Sequence, residues 1–188
     1  MIDIQQAIKA IKEDVIVEPV STSTNYLISP RLIDLFNFRI RQERNSAYIY
    51  KAMSLWLEDK AYMNGAKLWH KFYTEELNHA TWAEDFLLSL DIRPITPQVD
   101  QPSNEFMGYG DIVRKTLEHE INITNECQNL AKACMEEGNM MGYTVAHKYV
   151  SEQIEELKKA FDLLNLLEVY GEEKLNLALY DHELERFI

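Results

Sequence analysis

Four glutamates fall near the middle of four long stretches whose apolar residues repeat with helical spacing, and each lies on its apolar stripe. They are Glu43, Glu76, Glu120 and Glu156. A carboxylate on a core stripe is costly unless it is paired or binds a metal, and four at similar depth would repel one another. Two divalent cations would cancel their combined charge. We therefore expect a dinuclear metal centre inside a four-helix bundle.

A histidine extends this set of ligands. Glu76 and His79 form a Glu-x-x-His motif, which places both side chains on adjacent turns of one helix face. A carboxylate and an imidazole together suit iron or manganese. We expect Glu43, Glu76 and His79 to hold the first iron, and Glu120 and Glu156 to complete the second, with Glu76 bridging. The less favoured alternative, for His79 taken alone, is a core histidine.

Two further residues lie close to the expected layer. Tyr50 follows Glu43 by seven residues, so a phenol there could hydrogen-bond a ligand, donate one electron, or be a core tyrosine. Gln153 lies one turn before Glu156 and could direct its amide at the site.

A second acidic group flanks the expected centre. Glu75, Glu152 and Glu155 could form a third, weaker metal position or an entry path, and a solvated helix face is equally consistent with their spacing. His70 is expected at the surface, and His119 has no spacing that links it to the site.

The elements that must position these residues are four long helices and a short fifth one. A stretch with three prolines and no helical period, residues 91–108, separates the second helix from the third. Extended, it could run the whole length of a bundle helix and make helices two and three parallel. The fold class is therefore all-α. The five helices are expected at about 30–59, 64–90, 109–137, 140–169 and 172–187.

The chain divides into two parts. Residues 1–28 are expected to be an N-terminal extension, with a short helix over 2–17 and a Ser/Thr/Asn linker, and residues 29–188 to be the bundle domain.

The net charge of −12 and pI near 4.9 disfavour nucleic-acid binding. There is no apolar run long enough to span a membrane, and the first residues are too polar for a signal peptide.

The two cysteines agree with a reducing compartment. Cys127 and Cys134 lie seven residues apart on one helix face, too far apart to form a disulfide. We expect two small core residues and a cytoplasmic protein.

Several stretches resemble the ferritin family, and in particular the haem-free bacterial ferritins. They are Arg41-Gln42-Glu43 with Tyr50, Thr74 to Ala80 around Glu-x-x-His, Glu118 to Thr124, and Tyr149 to Glu156, and the similarity covers about residues 29–188. The resemblance implies a ferritin-like bundle with one long crossover and two ferroxidase irons at the ligands named above. It also implies that Tyr50 and Gln153 line the centre and that Glu75, Glu152, Glu155 and Glu156 form a third iron position. No haem is expected.

The resemblance implies a function as well. A protein of this kind oxidises Fe(II) with O2 or H2O2 and stores ferric mineral inside a hollow homo-oligomer, expected here to be a 24-mer. One departure is that Lys159 stands where many diiron proteins repeat the histidine three residues after Glu156. The extension 1–28 also departs from the usual short start.

Three alternatives stay open. A rubrerythrin-like diiron oxidase or peroxidase would work without mineral storage, although the chain has no Cys-x-x-Cys pair for electron delivery. A DNA-protecting 12-mer would place its metal site between subunits. A structural bundle would have lost its metal, which the full ligand set disfavours.

Overall fold

The computed structural model describes residues 27–188, and this range is all-α. The helices are α1 (Pro30–Asp59), α2 (Met63–Ser89), α3 (Tyr109–Glu136), α4 (Met140–Tyr170) and α5 (Lys174–Glu183), followed by a 3₁₀ turn (Leu184–Phe187). The all-α prediction is confirmed, and the predicted helix ends agree within a few residues. The short helix and linker predicted within residues 1–26 lie outside the described residues. None of the helices described is apolar over enough of its length to cross a bilayer.

Local sequence signals explain where the long helices begin and end. Ser29 caps α1 by accepting a hydrogen bond from the Leu32 amide, and Pro30 occupies the first helical position. Asn139 caps α4 in the same way through the amide of Gly142. Gly171 ends α4 with a positive φ of 78°, a conformation that glycine adopts without a steric penalty.

Contacts between helices define the topology. Along α1, Arg44 pairs with Glu84 and the Ser54 hydroxyl donates to the Ala66 carbonyl, so α1 and α2 are antiparallel. Helices α1 and α3 are also antiparallel. From the start of α1 to its end, Arg31 contacts Glu136, Arg39 contacts Glu126 and Tyr50 contacts Glu120. Because α2 and α3 both run antiparallel to α1, they are parallel to each other.

The connection over residues 90–108 follows α1 for most of its length. Its backbone amides at Ile95 and Asp100 donate to the side chains of Asn37 and Asn45. Near its end, Phe106 packs edge-on against Trp56, with ring centroids 6.0 Å apart. The single long crossover predicted from the proline-rich stretch is thus present.

Two separate apolar layers fill the bundle. One contains Phe36, Ile40, Ala83, Leu87, Ile123 and Cys127, and the other contains Tyr50, Met53, Leu57, Trp69, Val113 and Leu163. On every long helix the acidic residues singled out above lie between the stretches that supply these layers. Burial of apolar surface on both sides therefore holds a polar layer in the middle of the core.

The fifth helix anchors the start of α2. The Asp181 carboxylate accepts hydrogen bonds from the backbone amides of Asn64 and Gly65 and, at 3.0 Å, from the Tyr109 hydroxyl. It satisfies amides that have no partner within the first turn of a helix. Gly65 is needed here because a Cβ atom would lie 2.0 Å from the Tyr109 hydroxyl oxygen.

Candidate metal centre

The polar layer brings the expected side chains into the core. Glu43, Glu76, Glu120, Glu156 and His79 come from four different helices, and each is between 2% and 6% exposed. The helical periodicity explains this placement, since each replaces an apolar residue on the inward stripe of its helix. Their assignment as metal ligands remains a prediction.

One half of the centre is formed by α1 and α2. Glu43, Glu76 and His79 each offer a ligand atom, and these atoms all lie within 4.8 Å of one another. His79 Nδ1 is 3.4 Å from Glu76 Oε2. The Tyr149 hydroxyl donates to the backbone carbonyl of His79 at 2.8 Å, and Trp82 packs against the imidazole with centroids 4.6 Å apart, so the ring is held in place.

The other half is formed by α3 and α4. Glu120 accepts a hydrogen bond from the Tyr50 hydroxyl. Burial raises the pKa of Glu120, but the Gln153 side chain lies near enough to lower it in part, and the Gln153 oxygen accepts a hydrogen bond from the Thr124 hydroxyl at 2.8 Å. The second oxygen of Glu120, Oε2, is buried and has no hydrogen-bond partner among residues 27–188. A buried carboxylate oxygen left without a donor is costly unless a cation binds it, so the donor set fits a metal ion.

The pKa values of these acids show how strongly the layer resists four negative charges. Burial, together with the nearby Glu120 and Glu156 carboxylates, raises the pKa of Glu76 to about 8. Burial raises the pKa of Glu156 to about 7 although Lys159 opposes it. Burial also raises the pKa of Glu120, and that of Glu43 well above its ordinary value against the opposing charge of Arg39. Without a cation, the layer therefore retains protons.

The three flanking acids, Glu75, Glu152 and Glu155, differ in what they contact and in how exposed they are. Glu152 Oε1 lies 3.9 Å from His79 Nε2, and His79, Glu152 and Glu156 form a second group whose ligand atoms lie within 4.8 Å. Glu75 Oε2 lies 3.7 Å from Lys159 Nζ. Glu155 is exposed, as is His70. Of the three flanking acids, Glu152 therefore lies nearest the imidazole.

The sequence analysis did not predict that two basic residues contact the acids of the centre. Arg39 is fully buried, with its Nε 2.8 Å from Glu43 Oε1 and its Nη1 3.1 Å from Glu126. Lys159 lies on α4, and its Nζ is 3.0 Å from Glu156 Oε1. The i,i+4 spacing of Arg39 and Glu43 was a signal available in the sequence.

His119 also lies closer to the centre than its spacing indicated. Its ring meets Tyr50 edge-on, with centroids 5.6 Å apart, and its Nε2 is 2.8 Å from the Ser46 hydroxyl. Burial lowers the pKa of His119 to about 4, with Arg39 contributing, so the imidazole is neutral. Spacing along the chain could not reveal this contact, because it arises where α3 packs His119 against Tyr50 on α1.

Comparison with known proteins shows which family this chain resembles. A family model described as a ferritin-like domain matches residues 33–169. A probable bacterial non-heme ferritin-like protein of Haemophilus influenzae is 26% identical, over 84% of this chain and 96% of its own. A bacterial non-heme ferritin of Escherichia coli is 27% identical over the same shares of the two chains.

Solved structures show the same similarity. A solved open-pore ferritin from the hyperthermophilic archaeon Archaeoglobus fulgidus has a TM-score of 0.80 and 29% identity, covering 84% of this chain and 97% of that one. The matched range 33–169 contains all the residues of the polar layer, from Glu43 to Glu156. These matches support a ferritin-like function of the iron-storage class, and the family model covers most of the chain. The chain belongs to the ferritin family.

Proposed function

We propose that this protein oxidises Fe(II) at the buried centre and stores the resulting Fe(III) as mineral inside an oligomeric shell. The observation that carries the proposal is the buried group of Glu43, Glu76 and His79, whose ligand atoms lie within 4.8 Å of one another. Oxygen and imidazole ligands on helices of one subunit suit a pair of iron ions.

Each residue has a role in this proposal. Glu43, Glu76 and His79 hold the first Fe(II). Glu120 and Glu156 hold the second, and Glu76 bridges the two. Tyr50 hydrogen-bonds Glu120 and so orients its carboxylate, and Gln153 lines the centre beside it.

The reaction is a two-electron oxidation shared by two ions. Each Fe(II) loses one electron, and the pair of electrons reduces O2 to H2O2 or H2O2 to water, with protons supplied by solvent. The hard carboxylates bind Fe(III) more strongly than Fe(II), which supplies part of the driving force. Glutamates that retain protons in the empty centre lose them when the cations bind.

Assembly into a shell is supported by apolar side chains on the outer faces of the bundle. Phe38 and Leu55 on α1, Leu88 on α2 and Ile95 in the crossover are each between 44% and 64% exposed. Neighbouring apolar side chains on a surface favour association with another chain, and Phe38 and Ile95 line one surface depression. We propose a homo-oligomer, with 24 copies as in the family that the sequence resembles.

Oxidation kinetics with a matched pair of variants test this function. Anaerobic protein loaded with two Fe(II) per chain is mixed with O2 or H2O2, and the rate of Fe(III) formation is followed. Glu120→Gln should lose most of the rate, since the second ion loses an anionic ligand. Glu118→Gln, an exposed residue two positions earlier on α3, should match the parent. Equal rates for Glu120→Gln and the parent would overturn the proposal.

Storage is tested separately from oxidation. Protein loaded aerobically with many Fe(II) per chain is separated by size and imaged by electron microscopy. Iron-dense cores inside closed particles support storage. Rapid oxidation without cores would overturn the storage part and favour a rubrerythrin-like oxidase or peroxidase.

A further inference from the structure

A lysine occupies the boundary between the buried centre and the solvent. Lys159 Nζ is 3.0 Å from Glu156 Oε1 and 3.7 Å from Glu75 Oε2. The side chains of Lys159, Glu75 and Glu152 are 32%, 30% and 31% exposed, whereas that of Glu156 is 8% exposed. The ammonium therefore lies where an ion passing between the centre and water would meet its first carboxylates.

A third metal ion would need one of these carboxylates, that of Glu156. His79, Glu152 and Glu156 offer ligand atoms within 4.8 Å of one another, and His79 Nε2 lies 3.9 Å from Glu152 Oε1. Glu75 Oε2, which lies 3.7 Å from Lys159 Nζ, is buried without a hydrogen-bond partner among residues 27–188. An ammonium and a divalent cation compete for one set of carboxylate oxygens, because both are positive and repel each other at short range.

The other basic side chains nearby do not have this role. Arg39 is held by both Glu43 and Glu126, and it is fully buried. Lys158 is the next residue to Lys159, but it is exposed and pairs with Asp162 along α4. Lys158 is therefore a matched control of the same charge, on the same helix.

We propose that Lys159 is a built-in cation that fills the third metal position, so that each chain holds two metal ions and not three. This proposal rests on the proposed function, since it presumes that the centre binds metal. The Lys159 ammonium neutralises Glu156 and Glu75 on the solvent side. An ion leaving the centre by this side must displace the lysine, because no third binding site is vacant.

Counting metal ions tests this assignment. The assembled protein is stripped of metal, and tight Fe(II) binding per chain is measured by titration without oxygen, with Zn(II) as a second, redox-inert probe. The parent and Lys158→Met should bind two ions per chain. Lys159→Met should bind three, and Lys159→Gln is a second variant of similar length that keeps the test open should the first fail to assemble.

A double variant locates the additional ion. Lys159→Met combined with Glu75→Gln should return the count to two, because the new position loses one of its carboxylates. Three ions in the parent, or two in both Lys159 variants, would overturn the role of the lysine while leaving the two-ion centre intact. No tight binding to any of these proteins would overturn both the role of the lysine and the proposed function.

Discussion

The Tyr50 hydroxyl on α1 donates a hydrogen bond to the Glu120 carboxylate on α3, and both side chains are buried. Burial raises the pKa of Tyr50 well above its ordinary value, and the nearby Glu120 and Glu76 carboxylates raise it further, so the phenol remains a donor. The bond fixes one oxygen of Glu120 and leaves Oε2 without a hydrogen-bond partner among the described residues. The pairing fixes the orientation of the Glu120 carboxylate, and its free oxygen is the one that we propose binds a cation.

Tyr50→Phe should therefore weaken metal binding without removing any ligand. Residues that hydrogen-bond metal ligands typically contribute about 10–100-fold in affinity, and we expect a loss near the lower end because every proposed ligand remains in the variant. Titration with Co(II) or Zn(II) measures the change. Tyr48→Phe, an exposed position two residues earlier on α1, is the control. An unchanged affinity in Tyr50→Phe would show that the phenol does not orient Glu120.

The metal-free protein should lose stability as pH rises from about 5 to 8. Folding raises the pKa of Glu76 to about 8 and that of Glu156 to about 7, from ordinary values near 4.5. The folded state then holds protons that the unfolded state releases, so the stabilisation is fully present below the unfolded pKa and is lost as pH passes through 7 to 8. The loss should be on the order of a few kcal/mol.

Thermal unfolding of the stripped protein across this pH range checks the sign. Glu76→Gln should flatten the dependence, because the variant has no carboxyl to ionise at that position. It should also be more stable than the parent near pH 8. A parent that becomes more stable between pH 5 and pH 8 would contradict the raised pKa values.

Metal binding should release protons at neutral pH. Because Glu76 and Glu156 are partly protonated near pH 7 in the empty centre, two divalent ions must displace those protons. Calorimetric titration with Zn(II) in buffers of different ionisation enthalpy measures the number released. It should fall on going from pH 6.5 to pH 9, and Glu76→Gln should release fewer protons than the parent.

Asp181→Ala should destabilise the fold and leave the metal centre unchanged. The substitution removes the acceptor for the Asn64 and Gly65 amides and for the Tyr109 hydroxyl. Leaving buried donors without partners costs about 1–3 kcal/mol, which denaturant unfolding can measure. Asp181→Asn keeps one acceptor oxygen and should lose less. A change in metal stoichiometry in Asp181→Ala would contradict the independence of these two regions.

Both the helices and the inward direction of the acids could be predicted, because the helical repeat of apolar residues indicates where a helix forms and which of its faces is buried. The stripe through Phe36, Ile40, Glu43, Ala47 and Tyr50 is buried at every position. The inward stripe is less distinct on α4, where Gln153 is buried and the neighbouring Glu152 is half-buried. A small rotation of a helix about its axis decides which residue at the edge of a stripe is buried, and that rotation depends on packing against the other helices.

Contacts between distant residues were less predictable. The interaction of His119 with Tyr50 depends on how deeply α3 packs against α1, which spacing within one helix does not determine. Lys159 was recognised as a departure from Glu-x-x-His, but its reach to Glu75 requires the positions of α2 and α4 together. A long flexible side chain can bind several neighbours, and the fold selects among them.

A crystal of the metal-free protein soaked anaerobically with Fe(II) tests the central claim most directly. An anomalous difference map at the iron edge should show two peaks per chain inside the bundle. One should contact Glu43, Glu76 and His79, and the other should contact Glu76, Glu120 and Glu156. Peaks confined to the protein surface, with these acids bound to no metal, would contradict the account.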